Sequence, residues 1–199
     1  MRLQRLQARL RAVRFAVPVV HSVYLYSIPA GYVLTDSNSA AVVEFADAGA
    51  VELVREAPRQ ASLSAVREIT AIGDELVRRR SGVSMVRPYP AGLNAPFASG
   101  GIIVNVTVDA IRETVEAMAS QAGLLVEIAA PDGEAIVPWP EAPRETRWAA
   151  QIVVSPFTGW SYRAVSPLGP GEVRLRAFRR LFAVAALATL AMALLSVLF

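Results

Sequence analysis

Residues 101–111, GIIVNVTVDAI, join the clearest strand of the chain to its clearest helix start. Ile102 to Val108 is a run rich in β-branched residues, the composition of a half-buried or buried strand. Asp109 then supplies an N-cap, and Ile111, Val115 and Met118 recur on one face of a helix from Ala110 to about Gln121. Gly123 stands where the helix needs a residue free to turn left-handed. Downstream, Leu124 to Ala129 reads as a strand, Pro131-Asp132-Gly133-Glu134 as a tight turn and Ala135 to Val137 as the partner strand. Pro138 to Pro143 is a proline-rich loop around Trp139. Trp148 to Ser155 and Gly159 to Ser166 make the last antiparallel pair, joined by Pro156-Phe157-Thr158.

Upstream, residues 2–17 predict an amphipathic helix. Leu3, Leu6, Leu10 and Val13 recur at three- and four-residue spacing, with arginines on the other faces. Such a basic helix suits a lipid surface or a face of the domain itself. Val19 to Ser27 is β-branched and aromatic, Ile28 to Gly31 carries turn chemistry, and Tyr32 to Leu34 starts a return strand. Residues 35–39 are a polar loop, and Ala40 to Arg55 reads as short helical turns. Ser62 is placed to cap a helix from Leu63 to Arg80, whose apolar residues are Leu63, Val66, Ile69, Ile72, Leu76 and Val77, with Ser81-Gly82 as its stop. Val83 to Tyr89 reads as a strand, and Pro90 to Gly101 as a long loop. The whole predicts an α+β fold with antiparallel sheets. From Ile102, a helix followed by a four-stranded antiparallel meander is the plan of a small PAS-like domain.

The chain closes on LFAVAALATLAMALLSVLF, residues 181–199, with no charge, no proline and only Thr189 and Ser196 polar. A bilayer core takes roughly 20 apolar residues in helical form, so this stretch predicts a C-terminal transmembrane helix. A helix running unbroken from Glu172 to Phe199 would be ~42 Å long at 1.5 Å per residue. No secretory signal opens the sequence, because arginines run through Arg14 and Pro18 breaks the short apolar run behind them. The expectation is a membrane-tethered piece of a longer protein.

Composition narrows the function. Cysteine is absent, which excludes disulfides, a thiol nucleophile and Cys-ligated zinc. All 20 basic residues are arginine. Five of them fall in residues 1–14 and four in 172–180, leaving eleven arginines against sixteen acids between. The basic balance belongs to the two ends, so no nucleic-acid-binding face is expected. The arginines before the anchor would by the positive-inside rule favour a cytoplasmic body.

The segments GIIVNVTVDAI (101–111), GLLVEIAAPDGE (123–134) and SPFTGWSYRAVSP (155–167) together resemble the membrane-proximal half of Cache sensor domains. Such domains occur in bacterial sensor histidine kinases, and membrane-anchored AraC-type regulators carry similar modules. HSVYLYS (21–27) and VRPYP (86–90) resemble pieces of the membrane-distal half. The resemblance covers most of residues 15–199. It implies a domain outside the cytoplasmic membrane, between two transmembrane helices, whose ligand shifts the helix leading to an output domain. The sequence departs from that plan in lacking the first transmembrane helix, an output domain and the Arg-x-Trp-Tyr cluster that marks amino-acid binding.

Candidate chemistry is sparse. His21 is the only histidine and has no neighbouring carboxylate in sequence; Asp74-Glu75 and Asp132/Glu134 read as solvated surface. No nucleophile elbow, zinc motif or phosphate-cradling glycine pattern occurs, so neither an enzyme nor a cofactor or metal is expected. Asn105-Val106-Thr107 matches a glycosylation sequon inside a strand. The candidate ligand-binding residues are Arg87, Tyr89, Tyr24 and Tyr26, aromatics and a cation able to hold a polar small molecule, with core packing the other role open to the tyrosines.

The expectation is an extracytoplasmic small-molecule sensor, dimeric and membrane-bound. Residues 1–18 form the amphipathic helix, 19–100 a membrane-distal part, 101–171 a membrane-proximal part, and 172–199 the linker and transmembrane helix. The alternative is a membrane-anchored structural or assembly protein with no ligand.

Overall fold

The computed structural model describes residues 2–56, 61–72, 77–89, 99–139, 148–156 and 158–167. The chain divides into two compact units, Met1–Ala110 and Ile111–Phe199. Both are antiparallel α+β assemblies.

The first unit opens with α1 (Arg2–Ala16). Strands β1 (Val20–Ser27), β2 (Tyr32–Thr35) and β3 (Ser39–Ala41) follow, then a 3-10 turn and α2 (Ala48–Glu56). Four more strands complete it: β4 (Ser62–Leu63), β5 (Arg67–Ile72), β6 (Val77–Tyr89) and β7 (Gly100–Thr107). The sheet runs β3-β2-β1-β7-β6, with β4 and β5 both pairing to the outer side of β6.

Register sorts the side chains. Ser22 faces Asn105, which faces Ser84; Tyr24 faces Ile103, which faces Val86. On that face Tyr24, Tyr26, Val33, Val86 and Ile103 pack with Ala50, Val51 and Val54 of α2. On the opposite face Val20, Val23 and Leu34 pack with Leu10 of α1, and Val13, Leu25, Ile102 and Val104 close around them. The stripe foreseen in residues 2–17 therefore half succeeds. Leu10 is buried, whereas Leu3 and Leu6 remain exposed.

Glycine permits a close approach at Gly101. A Cβ there would stand 2.8 Å from Val54 Cγ1 and 3.1 Å from the Arg87 carbonyl oxygen, so α2 sits against bare backbone.

The predicted helix from Leu63 to Arg80 does not form. Its described residues are β4, β5 and the start of β6, with β5 and β6 paired from Arg67–Gly82 to Ile72–Val77. The repeated three-residue steps of Leu63, Val66, Ile69 and Ile72 drift round a 3.6-residue helix before the single four-residue step to Leu76, so they build no continuous helical face. β-Branched Ile69, Thr70 and Ile72 favour extended backbone instead. Gly82, read as a helix stop, lies inside β6, where a Cβ would come 2.5 Å from the Val106 carbonyl oxygen.

The second unit holds most of α3 (Val108–Ala122), then β8 (Leu125–Ala129), β9 (Ala135–Val137), β10 (Trp148–Val154) and β11 (Ser161–Pro167). Thr107, rather than Asp109, caps α3, its Oγ1 accepting from the Ala110 amide at 3.3 Å. Gly123, at φ +62°, ends the helix as expected. The Leu124 amide reaches back to the Ala119 carbonyl at 2.9 Å. Gly133, at φ +87°, makes the β8–β9 turn, and the Asp132 carboxylate accepts from the Glu134 amide at 3.0 Å.

The sheet order is β10-β11-β8-β9. It is not the up-and-down meander expected, because β11 returns to pair with β8 rather than remaining outermost. The strand read as opening the second part, Ile102–Val108, is β7 of the first sheet. No helix among the described residues is long and apolar enough to cross a membrane. Both the apolar stretch 181–199 and the helix predicted from Glu172 lie outside the described residues.

One buried polar group ties α2 to the first sheet. Arg67 on β5 donates from both terminal nitrogens to Asp47, just before α2, at 2.6 and 3.0 Å. Its Nε donates to Ser84 Oγ at 2.7 Å. The Asp47 side chain is only 2% exposed, so removing the guanidinium strands a buried carboxylate. Arg67→Met is expected to lower unfolding stability by about 3–5 kcal/mol, read by urea denaturation. A loss under 1 kcal/mol would show the pair to be dispensable.

A polar cavity on the first sheet

The α2 face of the first sheet is apolar at one end and polar at the other. At the polar end Asn105, fully buried, donates from Nδ2 to Ser22 Oγ at 2.9 Å. It accepts on Oδ1 from Ser84 Oγ at 2.6 Å and from Arg67 at 3.1 Å. Asn105 is thus enclosed, and the sequon it belongs to is unavailable to modification. The chain Asp47–Arg67–Ser84–Asn105–Ser22 links the entry of α2 and four strands through mutually satisfied groups.

Beside this network opens a cavity of about 390 Å³. Ser22 and Tyr24 line it from β1, Phe45 and Ala46 from the segment before α2, and Thr35 to Asn38 from the β2–β3 loop. His21, Arg14, Ala40, Thr70, Arg78 and Arg80 complete its wall. The volume lies within the range of small-molecule sites, roughly 300–1,000 Å³.

The β2–β3 loop is firmly built. Thr35 Oγ1 accepts from the Ser37 and Asn38 amides at 3.2 and 2.9 Å, and the Thr35 amide bonds the Asn38 carbonyl at 2.8 Å. Asp36 is 6% exposed, and Arg14 of α1 meets its carboxylate at 2.6 Å. Arg11 donates to the Asp36 carbonyl at 3.1 Å. The end of α1 is thereby pinned to the cavity wall.

The electrostatics are mostly positive. Burial depresses the pKa of His21 first, the charges of Arg80 and Arg14 lower it further, and Asp36 opposes them. The Tyr24 hydroxyl is pushed up to about 12, chiefly by burial, while hydrogen bonds to Ser22 and Asn105 act the other way. It is therefore a neutral donor at ordinary pH. Tyr24 also meets Phe45 edge-to-face, ring centroids 5.1 Å apart.

The four residues named from sequence do not come together. Tyr24 lines the cavity. Tyr26 is buried under α2, where its hydroxyl bonds Arg55. Arg87 pairs across to Ile102 and so lies on the opposite face of the sheet, with Tyr89 two residues on and 60% exposed. Sequence reading missed Arg14, Asp36, Asp47, Arg67, Arg78 and Arg80. A signal was present: HSVYLYS, VSMV and VNVT each set a polar residue between apolar strand neighbours or at their edge, and register puts Ser22, Ser84 and Asn105 in one row. The helix assigned to 63–80 hid their partner Arg67.

No protein-family profile and no curated protein matches the sequence. Solved structures do share its fold. An extracellular ligand binding receptor from Desulfohalobium retbaense DSM5692 aligns over 81% of this chain at TM-score 0.53 and 12% identity. The chain spans only 33% of that protein's length. The extracellular domain of a protein described as a histidine kinase, rpHK1S-Z16, aligns over 82% of this chain and 77% of its own, at TM-score 0.50 and 11% identity. The chain therefore has the PAS-like fold found in extracellular ligand-binding domains of receptors and kinases.

His21 gives a direct pH test. Its folded pKa lies below the ordinary 6.5, so near and below that pH the unfolded chain takes up a proton that the folded chain resists. Stability is full above pH 6.5 and falls as acid approaches the folded value. His21→Gln is expected to flatten the stability curve in this window, measured by urea unfolding at a series of pH values. An unchanged slope would assign the effect to other groups.

Proposed function

We propose that the chain is the extracytoplasmic small-molecule sensing part of a bacterial transmembrane signal-transduction receptor. The cavity of the first unit is the observation that carries this reading. It has the volume of a ligand site, a neutral tyrosine donor, buried polar groups already satisfied among themselves, and arginines at its wall. The likeness in fold to extracellular ligand-binding domains supports it.

In this reading the first unit is the membrane-distal sensor and the second, up to residue 171, the membrane-proximal part. Residues 172–199 form the helix that enters the membrane. Ligand favours one arrangement of the PAS-like core, and the population shift passes through that helix to an output domain outside this chain. Tyr24 contacts the ligand, and Tyr26 serves the packing beneath α2. Arg87 and Tyr89, on the other face, are candidates for a separate contact. Two copies act together as a homodimer.

The test is a thermal-shift screen of the full chain in detergent micelles against amino acids, sugars, carboxylates and nucleosides. A true ligand at a hundredfold excess over its Kd is expected to stabilise by about 2.7 kcal/mol. Ala46→Trp, which fills the cavity, is expected to abolish that gain while leaving the chain folded. If no compound stabilises the wild type, the sensing reading loses to a membrane-anchored structural role.

A further inference from the structure

Three arginines and one aspartate carry the formal charge at the cavity wall. They are not equivalent. Arg14 and Asp36 are bound to each other at 2.6 Å, so each answers the other's charge. Arg78 and Arg80 have no ion-pair partner among the described residues, whereas Arg79 between them meets Glu68 at 3.4 Å.

Alternation on β6 sets Arg78 and Arg80 on the same face as Ser84, and hence in the same row system as Ser22 and Asn105. These two arginines and the polar floor thus serve one space. His21 stands in the same wall, neutral at ordinary pH and close enough to Arg80 and Arg14 to feel both. The remaining lining, Thr35, Ser37, Asn38 and the Tyr24 hydroxyl, supplies uncharged hydrogen-bonding groups.

Two like charges held at one wall repel each other and are strongly solvated. An oxyanion with two charges answers both, through charge-assisted hydrogen bonds that arginine's planar fork makes well. A neutral ligand leaves the repulsion in place, and a single charge answers half of it.

We infer that the cavity takes a small dianionic ligand, a dicarboxylate or a phosphorylated compound, held by Arg78 and Arg80. This rests on the sensing reading and adds the chemical class of the ligand. The anion also offsets the field of Arg80 and Arg14 at His21, so the single histidine reports occupancy.

The experiment uses the full chain in micelles with 13C-labelled histidine, titrated by NMR. The probes are succinate and inorganic phosphate, which separate a dicarboxylate from a phosphate source, with sodium chloride at matched ionic strength. At least one dianion is expected to raise the His21 titration midpoint by about one unit, saturably, and chloride is not. The R78A/R80A variant, checked for an unchanged unfolding midpoint, is expected to bind that dianion at least tenfold more weakly. R9A, on the exposed side of α1, is expected to bind as wild type. The inference is overturned if neither dianion moves His21, if chloride matches them, or if R78A/R80A responds like wild type. A neutral compound that binds the cavity when both dianions fail would sink the dianion alone and leave the sensing reading standing. Failure of every compound would remove both.

Discussion

The first unit depends on one ion pair that has almost no contact with water. Arg67 forks onto Asp47 and turns its remaining nitrogen to Ser84, so one guanidinium joins the entry of α2, strand β5 and strand β6. A buried carboxylate is tolerable only when its charge is met and its lone pairs are occupied. Asp47 has both needs served by a single residue. The same guanidinium bonds Asn105, which in turn holds Ser22, and the polar row crosses the sheet without leaving an unmet donor. Apolar packing of Val51 and Val54 of α2 against Tyr24 and Ile103 supplies adhesion. The ion pair supplies position, since apolar contact alone would allow the helix to slide.

That division shapes the face under α2. Where the helix covers the sheet, side chains are apolar and closed; past its N-terminal end they are polar and border open space. The opposite face is covered by α1, whose clamp onto Asp36 reaches the same loop that forms the cavity wall. One carboxylate thus belongs at once to the helix behind the sheet and to the cavity in front of it.

Much of the fold was legible because its signals are local. The GIIVNVTV strand, the Gly123 stop and the Asp132-Gly133 turn each rest on a few neighbouring residues, and each stands where it was read, with Thr107 taking the capping role assigned to Asp109. The errors are of another kind. Residues 63–72 carry apolar groups every third position, a spacing that extended chain can also produce, and only pairing between β5 and β6 decides it. The pairing of β11 with β8 is equally non-local. The cavity was illegible for the same reason. Arg14, Asp36, Arg67 and Arg80 are far apart in sequence, and Arg87, two residues before Tyr89, falls by parity on the wrong side of the sheet to join Tyr24.

The two units share a strand plan that explains why the cavity belongs to the first. In each, a helix leads into a hairpin, and the last strand of a later pair returns beside the hairpin's first strand, giving β2-β1-β7-β6 and β9-β8-β11-β10. They differ in what separates the two pairs. In the second unit only residues 138–147 intervene, whereas in the first residues 36–76 do. That longer insertion carries Asp36, Phe45, Asp47, α2, Arg67 and Thr70. It brings the cover, the ion pair that fixes the cover and much of the cavity wall in one piece of chain. A four-stranded antiparallel core needs none of these to close its sheet, and the second unit forms its own sheet without them. The insertion's polar residues are thus surplus to the fold's minimum: Asp47 and Arg67 fix α2 on the sheet, while Asp36 and Thr70 border the cavity.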